Sequence, residues 1–251
     1  GRTTLNGEGL QHQDGHSHIL SSTIPNCKSY DPAYGFELAV IIEHGLKEMY
    51  KDKKNYFYYL TVTNERYLQP PKPKGKDVEN NIIKGMHRIS NTKKPQIRLL
   101  GSGAILNESL QAAETLSDFG IESEVWSVTS FNMLRKDGME VENENIKNPS
   151  NKAKESFVTE SFKKHDIPTV ASTDYMRAYS EQIRPFIESP YYTLGTDGFG
   201  RSDSRAKLRE FFEVDAKSIV MTAAYALHKE GKLNKKELQK IYKEIKVNKN
   251  K

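Results

Sequence analysis

Hydrophobic and polar positions divide the chain into unequal stretches. The first twenty-three residues show no apolar period of either strand or helix type and read as a polar loop. Ile24–Tyr30 reads as a short strand or extended turn. Asp31-Pro32 then opens a helix expected to run through Tyr50, with an acid at the N-cap and proline at the first helical position. Leu38, Ile41, Ile42 and Met49 broadly fit helical spacing. Tyr56–Val62 is aromatic and β-branched, which predicts a buried strand. Three prolines within Pro70–Pro73 make a stiff linker, and a domain boundary is expected there.

Beyond the linker the pattern alternates. Helices are expected over Asp77–Arg88, Leu106–Asp118, Lys152–His165 and Tyr175–Phe186, with a further helix start after Thr129. Strands are expected at Ile97–Leu100, Ser123–Ser127, Pro168–Ala171 and Tyr191–Gly195. The polar, Asn-rich stretch Lys136–Ser150 reads as a loop. Ala216–Lys229 is apolar almost all round and ends at Gly231, so it packs on the sheet. A last helix begins at Asn234, with Leu238, Ile241, Tyr242 and Ile245 as its apolar stripe. Strand-turn-helix alternation predicts an α/β fold with a mostly parallel sheet covered on both faces. The expected division is 1–74 and 75–251.

Composition narrows the class. Hydrophobic content of 36% and charged content of 28% over 251 residues are ordinary for a globular protein. No apolar run reaches eighteen residues, so no membrane span is expected. A single cysteine, Cys27, excludes an intrachain disulfide framework and fits a reducing compartment, so a cytoplasmic location is expected. The net charge of +5 is concentrated at one end: Lys232–Lys251 holds eight lysines and two acids, a net of +6, so the other residues sum to −1. A lysine-rich tail of this kind is not a nucleic-acid patch, and nucleic acid is not an expected partner. The chain begins at Gly1 rather than Met, and it reads as a piece of a longer protein.

The chemistry concentrates in Asn6-Gly-Glu-Gly-Leu-Gln-His12-Gln-Asp-Gly-His16-Ser-His18, with three glycines, two acids and three of the seven histidines. Glycines let the backbone approach a ligand, and histidines exchange protons near neutral pH. His16 and His18 lie two apart, as metal ligands on a strand would, and Asp14 could add a third donor. A closed zinc site wants four ligands, and none is expected here. Gly195–Arg205 lacks the third glycine of the dinucleotide fingerprint, and no phosphate-binding loop of the Gly-Lys-Ser/Thr kind is present. That segment reads as a tight turn into a helix with Ser202 or Asp203 as N-cap, or as a loop shaping an interface or active-site mouth.

Six segments carry a specific likeness. They are Leu5–His18, Ile24–Tyr34, Leu99-Leu-Gly-Ser-Gly103, Trp126–Phe131, Val170-Ala-Ser-Thr-Asp-Tyr-Met176 and Gly195–Arg205. Together they resemble the homodimeric bacterial pyruvate dehydrogenases, the thiamine diphosphate-dependent first components of the pyruvate dehydrogenase complex. The likeness runs in order from the first residue to about Glu230 and is weakest over Lys136–Lys164 and in the lysine-rich tail.

The resemblance implies a transketolase-like fold: residues 1–74 as the end of the middle, pyrimidine-binding domain, and 75–251 as the C-terminal α/β domain. It implies oxidative decarboxylation of pyruvate and acetyl transfer to the lipoyl domain of dihydrolipoyl acetyltransferase, in a homodimer. The cofactors would be thiamine diphosphate and Mg²⁺. Their ligands are expected upstream, since the Gly-Asp-Gly motif with its downstream Asn is absent here, so the 251 residues alone are expected to be inactive. Carried over by position, His12 is the histidine facing the substrate, and His18 sits where transketolases carry the histidine of an Asp-Gly-x-x-His loop. Asp14 and His16 would shape the loop, and Glu8 would line the cofactor channel. The C-terminal domain would be a scaffold and dimer-forming module. Two rivals stand beside this reading. A transketolase-type ketol transferase would carry Pro-Thr at His16-Ser17, and a non-catalytic interaction module would need the chain to be complete as it stands.

Overall fold

The structure is a computed structural model, and it describes residues 1–90, 92–150 and 152–245. The elements in chain order are α1 (Ser17–Ser22), β1 (Cys27–Tyr30), α2 (Gly35–Leu46), β2 (Phe57–Leu60), α3 (Val78–Lys84), β3 (Met86–Arg88), β4 (Ile97–Gly101), α4 (Ile105–Asp118), β5 (Ser123–Val128) and α5 (Phe131–Lys147). They continue with α6 (Phe157–Phe162), β6 (Thr169–Ser172), α7 (Arg177–Glu181), β7 (Tyr191–Leu194), α8 (Arg205–Phe211), α9 (Ala216–Lys229) and α10 (Lys235–Glu244).

The larger sheet has the order β3-β5-β4-β6-β7. Its inner pairings are parallel, and only the edge strand β3 runs antiparallel, pairing Met86–Arg88 with Trp126–Val128. The expectation of a mostly parallel, doubly covered sheet holds. Successive strand residues point to opposite faces. Leu99, Val125 and Val170 pack with Ile219, Val220 and Ala223 of α9 on one side. Leu100, Trp126 and Ala171 pack with Phe131, Val158 and Tyr179 on the other. Each fully buried Leu or Val contributes about 2 kcal/mol.

The smaller sheet joins β1 and β2 in parallel, with α2 crossing between them. Tyr30, Ile41 and Ile82 form its core. The strand expected over Tyr56–Val62 is present, but it is not buried: Phe57 and Val62 face solvent.

Several helix limits differ from the periodic reading, each for a local reason. Residues 17–22 of the expected loop are helical, because the Asp14 carboxylate accepts the first free amides of that helix, those of His16 and Ser17. The helix expected from Asp31-Pro32 starts at Gly35, where Glu37 reaches back to the amides of Ala33 and Tyr34 in a capping box. Helix α3 stops at Lys84 because Gly85 takes φ +119°, and a Cβ there would lie 2.6 Å from Ser130 O. The chain then turns into β3 instead of continuing helical to Arg88. Lys136–Ser150 is mostly helix, not loop: it continues α5, which starts after a Ser130 cap and is held by its buried first turns at Phe131, Leu134 and Gly138, while its Lys and Glu residues favour the helix. Helix α6 covers only Phe157–Phe162, begun by a Ser156 cap. The helix expected over Tyr175–Phe186 divides into α7 and a short turn at Arg184–Phe186. Helix α8 has Ser204 at its N-cap rather than Ser202 or Asp203. Helices α9 and α10 begin as expected, capped by the side chains of Asp215 and Asn234. Residues 246–251 of the lysine-rich tail lie outside the described residues.

Candidate active site

The carboxyl ends of strands from both sheets meet at one place. Asp31 follows β1, Thr61 follows β2, Ser102 follows β4, and Asp174 follows β6 by two residues. Asp31, Thr61, Gly103, Asp174 and Tyr175 line a narrow cleft there. Crevices outside the carboxyl ends of parallel strands are where α/β proteins bind ligands.

The polar N-terminal loop lies across this end, and the C-terminal part of the chain holds it there. Asp174 is buried, with its carboxylate accepting from the Thr3 amide at 2.8 Å and the Thr4 hydroxyl at 2.6 Å. Arg2 donates to Thr196 O at 2.5 Å and to Gly198 O. Gln13 uses both ends of its amide on one backbone unit: it accepts from the Arg201 amide at 2.6 Å and donates to Arg201 O. Gly7 N donates to Asp203 O at 3.0 Å, and Met176 N to Gly15 O at 3.0 Å. Arg209, buried, reaches the Thr3 hydroxyl and pairs with Glu65 and Glu108. The Val170–Met176 and Gly195–Arg205 motifs therefore shape this loop from about 170 to 200 residues away in sequence, and the loop's own sequence carries no sign of that hold.

The five candidate residues fall into different surroundings. His12 is exposed at the end of a one-turn 3₁₀ helix, Leu10–His12, next to the anchored Gln13. Glu8 is also exposed. Asp14 is half-buried. Burial pushes its carboxyl up, but the Ser17 hydroxyl and the His16 and Ser17 amides outweigh that and hold it below the usual carboxylate range. His16 is exposed, with its Nε2 3.4 Å from the Arg2 guanidinium. His18 is completely buried. Tyr179 stacks on its ring at 4.7 Å, Tyr175 stands edge-on at 4.6 Å and Tyr59 at 5.5 Å. Burial, only partly opposed by Asp14, depresses the His18 pKa to about 3, so it is neutral at any physiological pH. His12 and His18 thus share the loop but not an environment.

Asp31 is the residue that the loop motif did not signal. Its carboxylate accepts from Thr61 Oγ1 at 2.7 Å and Ser102 Oγ at 2.8 Å. Burial raises its pKa to about 6 against the pull of these hydrogen bonds. Asp31-Pro32 looks like a helix start in one dimension, which concealed this role. Among the described residues no group of three or more His, Cys, Asp or Glu side chains is placed to hold a metal ion, and no helix is long and apolar enough to cross a membrane.

The geometry can be set beside known proteins. Residues 1–70 match the family described as pyruvate dehydrogenase E1 component middle domain. Residues 85–215 match the transketolase-like C-terminal domain. The pyruvate dehydrogenase E1 component of Pseudomonas aeruginosa is 55% identical over 241 residues, 94% of this chain and 27% of the relative. Those of Cupriavidus necator and Escherichia coli are 48% and 49% identical over 100% and 94% of the chain. The chain spans about 27% of the length of these curated relatives. Among solved structures, a Pichia stipitis transketolase superposes with TM-score 0.65 at 16% identity, covering 90% of this chain and 29% of that one. Leishmania mexicana transketolase gives 0.66 at 14% identity, with the same coverage. A split-gene transketolase, described as an inactive beta4 tetramer, gives 0.62 at 15% identity, with 64% of that chain covered. At these identities the structural likeness speaks for the fold alone.

Proposed function

The chain belongs to the pyruvate dehydrogenase E1 branch of the transketolase-like family, and from that premise we propose that it contributes the histidine loop and the C-terminal domain to a pyruvate-decarboxylating enzyme. The reaction is oxidative decarboxylation of pyruvate, with the acetyl group passed to the lipoyl domain of dihydrolipoyl acetyltransferase. The working unit is a cytoplasmic homodimer. In the proposed division, residues 1–74 complete the middle domain and 75–251 form the C-terminal domain, in keeping with the two family matches.

Thiamine diphosphate with Mg²⁺, bound in the whole enzyme, supplies the nucleophile and the electron sink. Residues of this chain do not fit as its diphosphate or metal ligands: no Gly-Asp-Gly with a downstream Asn occurs, and no metal-ligating cluster forms among the described residues. The chain's own work is at the substrate. In this reading His12 contacts the pyruvate carboxylate or the oxygen on which charge develops, and can move a proton there. Gln13, tied to Arg201, fixes the backbone beside it. Asp14 holds the start of α1, while Glu8 and His16 border the approach. His18 acts from the interior rather than at the surface.

One observation carries the reading: a histidine loop, in a chain 55% identical to a pyruvate dehydrogenase E1 component, is bonded across the carboxyl ends of the strands at the cleft. The test is a reconstitution. The protein that carries this chain, given thiamine diphosphate, Mg²⁺, pyruvate and a lipoyl domain, should release carbon dioxide and acetylate the lipoyl group. Ketol transfer between sugar phosphates without pyruvate turnover would overturn it.

A further inference from the structure

His18 has two polar atoms and only one visible partner. Nε2 lies 3.0 Å from Thr61 Oγ1, and Nδ1 is buried without a hydrogen-bond partner among the described residues. The direction of the first bond follows from counting hydrogens. Thr61 has one hydroxyl hydrogen. Its other neighbours are two acceptors, Asp31 Oδ1 at 2.7 Å and Tyr30 O at 3.3 Å, and the Tyr175 hydroxyl, which carries a hydrogen of its own. Above about pH 6, where Asp31 is ionised, that hydrogen goes to its carboxylate, whose second oxygen is held by Ser102 Oγ at 2.8 Å. Thr61 is then left as an acceptor, and the proton between it and His18 belongs to Nε2.

We propose that Thr61, itself oriented by Asp31, is a positioning residue that keeps His18 in the Nε2-protonated tautomer and leaves the Nδ1 lone pair as an open acceptor inside the aromatic enclosure. This rests on the reading of residues 1–18 as the active-site loop. The four groups come from four separate segments, after β1, β2 and β4 and within α1, so the arrangement exists only where the two sheets meet. A buried acceptor without a donor is unfavourable, because it has lost its water and gained nothing in return. A proton donor reaching Nδ1 as the site assembles around substrate relieves that cost, and this couples the interior histidine to the loop that carries His12. Tautomer control by a hydrogen bond to the far ring nitrogen is an established way to prepare a histidine. Because burial keeps His18 neutral, the tautomer is what remains to be set.

The experiment uses the whole protein that carries this chain, with histidine ring nitrogens labelled with ¹⁵N. In the parent, His18 Nε2 should give the signal of a protonated ring nitrogen and Nδ1 that of an unprotonated one. Thr61→Val keeps the shape and removes the hydroxyl; the two His18 signals should move towards a tautomer mixture. Thr61→Ser should restore them. In pyruvate turnover, Thr61→Val should lower kcat about tenfold or more with KM little changed, as for loss of a tautomer-orienting group. Combined with His18→Gln it should add nothing further. A proton on Nδ1 in the parent, unchanged signals in Thr61→Val, or kinetic losses that multiply in the double variant overturn the proposal. Absence of pyruvate turnover in the parent would instead sink the functional reading and leave the nitrogen signals as they are. Should Thr61→Val fail to fold, the parent signals and Thr61→Ser still decide the tautomer.

Discussion

Ser127 donates its hydroxyl hydrogen to Glu37 Oε1 across 2.6 Å, and that contact joins the small sheet's helix to the large sheet. Glu37 lies on α2 and Ser127 on β5. The carboxylate is wholly buried yet fully provided for: Oε1 also meets His87 Nε2 at 2.6 Å, and Oε2 accepts the amides of Ala33 and Tyr34 at 2.7 and 3.0 Å. Such a group stabilises only as long as all its donors are present.

Glu37→Ala should therefore destabilise the protein strongly, by about 3–5 kcal/mol, because it strands several buried donors at once. Urea denaturation of parent and variant measures this. A loss below about 1 kcal/mol would show that the contacts at this junction are dispensable.

His12→Ala in the protein that carries this chain should lower pyruvate turnover a hundredfold or more, the range of a positioned acid-base group. Since His12 is exposed, the melting temperature should hardly move. Turnover close to that of the parent would remove His12 from the site.

Asp174→Ala should loosen the N-terminal loop without unfolding the sheet. The carboxylate holds Thr3 and Thr4, while α9 packs independently on β6 and β7. Hydrogen exchange should speed up over residues 2–16 and stay slow in α9. Equal protection of the loop in both proteins would mean that Arg2, Gln13 and Arg209 suffice.

The two shifted groups of the interior make opposite contributions to pH dependence. Unfolded His18 takes up a proton below its ordinary 6.5, whereas folded His18 stays neutral to about 3. The unfolded state binds the extra proton, so this group lowers stability as pH falls from about 6.5 to 3, by roughly 5 kcal/mol at most. Folded Asp31 keeps its proton up to about 6, whereas unfolded Asp31 releases it near 3.8. Here the folded state binds the extra proton, and stability falls as pH rises through that window, by roughly 3 kcal/mol. Between pH 4 and 6 the two nearly cancel. Asp31→Asn removes the second, so its stability relative to the parent should rise by about 2 kcal/mol from pH 4 to pH 6. Denaturation curves at these pH values check it, and a difference independent of pH would contradict it.

Local signals read well wherever one element's own residues decided its state. Helix α9 is apolar, begins after the Asp215 cap and ends before Gly231, and it has its expected limits. The strands of the parallel sheet stand close to their expected places, since fully buried strands are short runs of apolar residues. The start of α5 after Thr129 was legible, but its run through Lys147 was not, because that stretch is polar and its buried side is set by β1, α6 and α7. Gly85 ends α3 early because Ser130, forty-five residues on, leaves no space for a side chain.

The sequence by itself determined the alternation of strands and helices and the place where histidines, glycines and acids collect, because helix and strand periods, caps and composition are written in neighbouring residues. It also carried the family likeness, whose segments occur in one order along the chain. Only the tertiary structure decided how those residues differ in environment. It left His12 in solvent, closed His18 among three tyrosines, and turned Asp31 from an apparent helix cap into the carboxylate beneath Thr61 and Ser102. The physical reason is that burial and hydrogen-bond partnership are properties of space. Asp174 and Arg201 reach the loop from 170 and more residues away, and no local pattern records that approach.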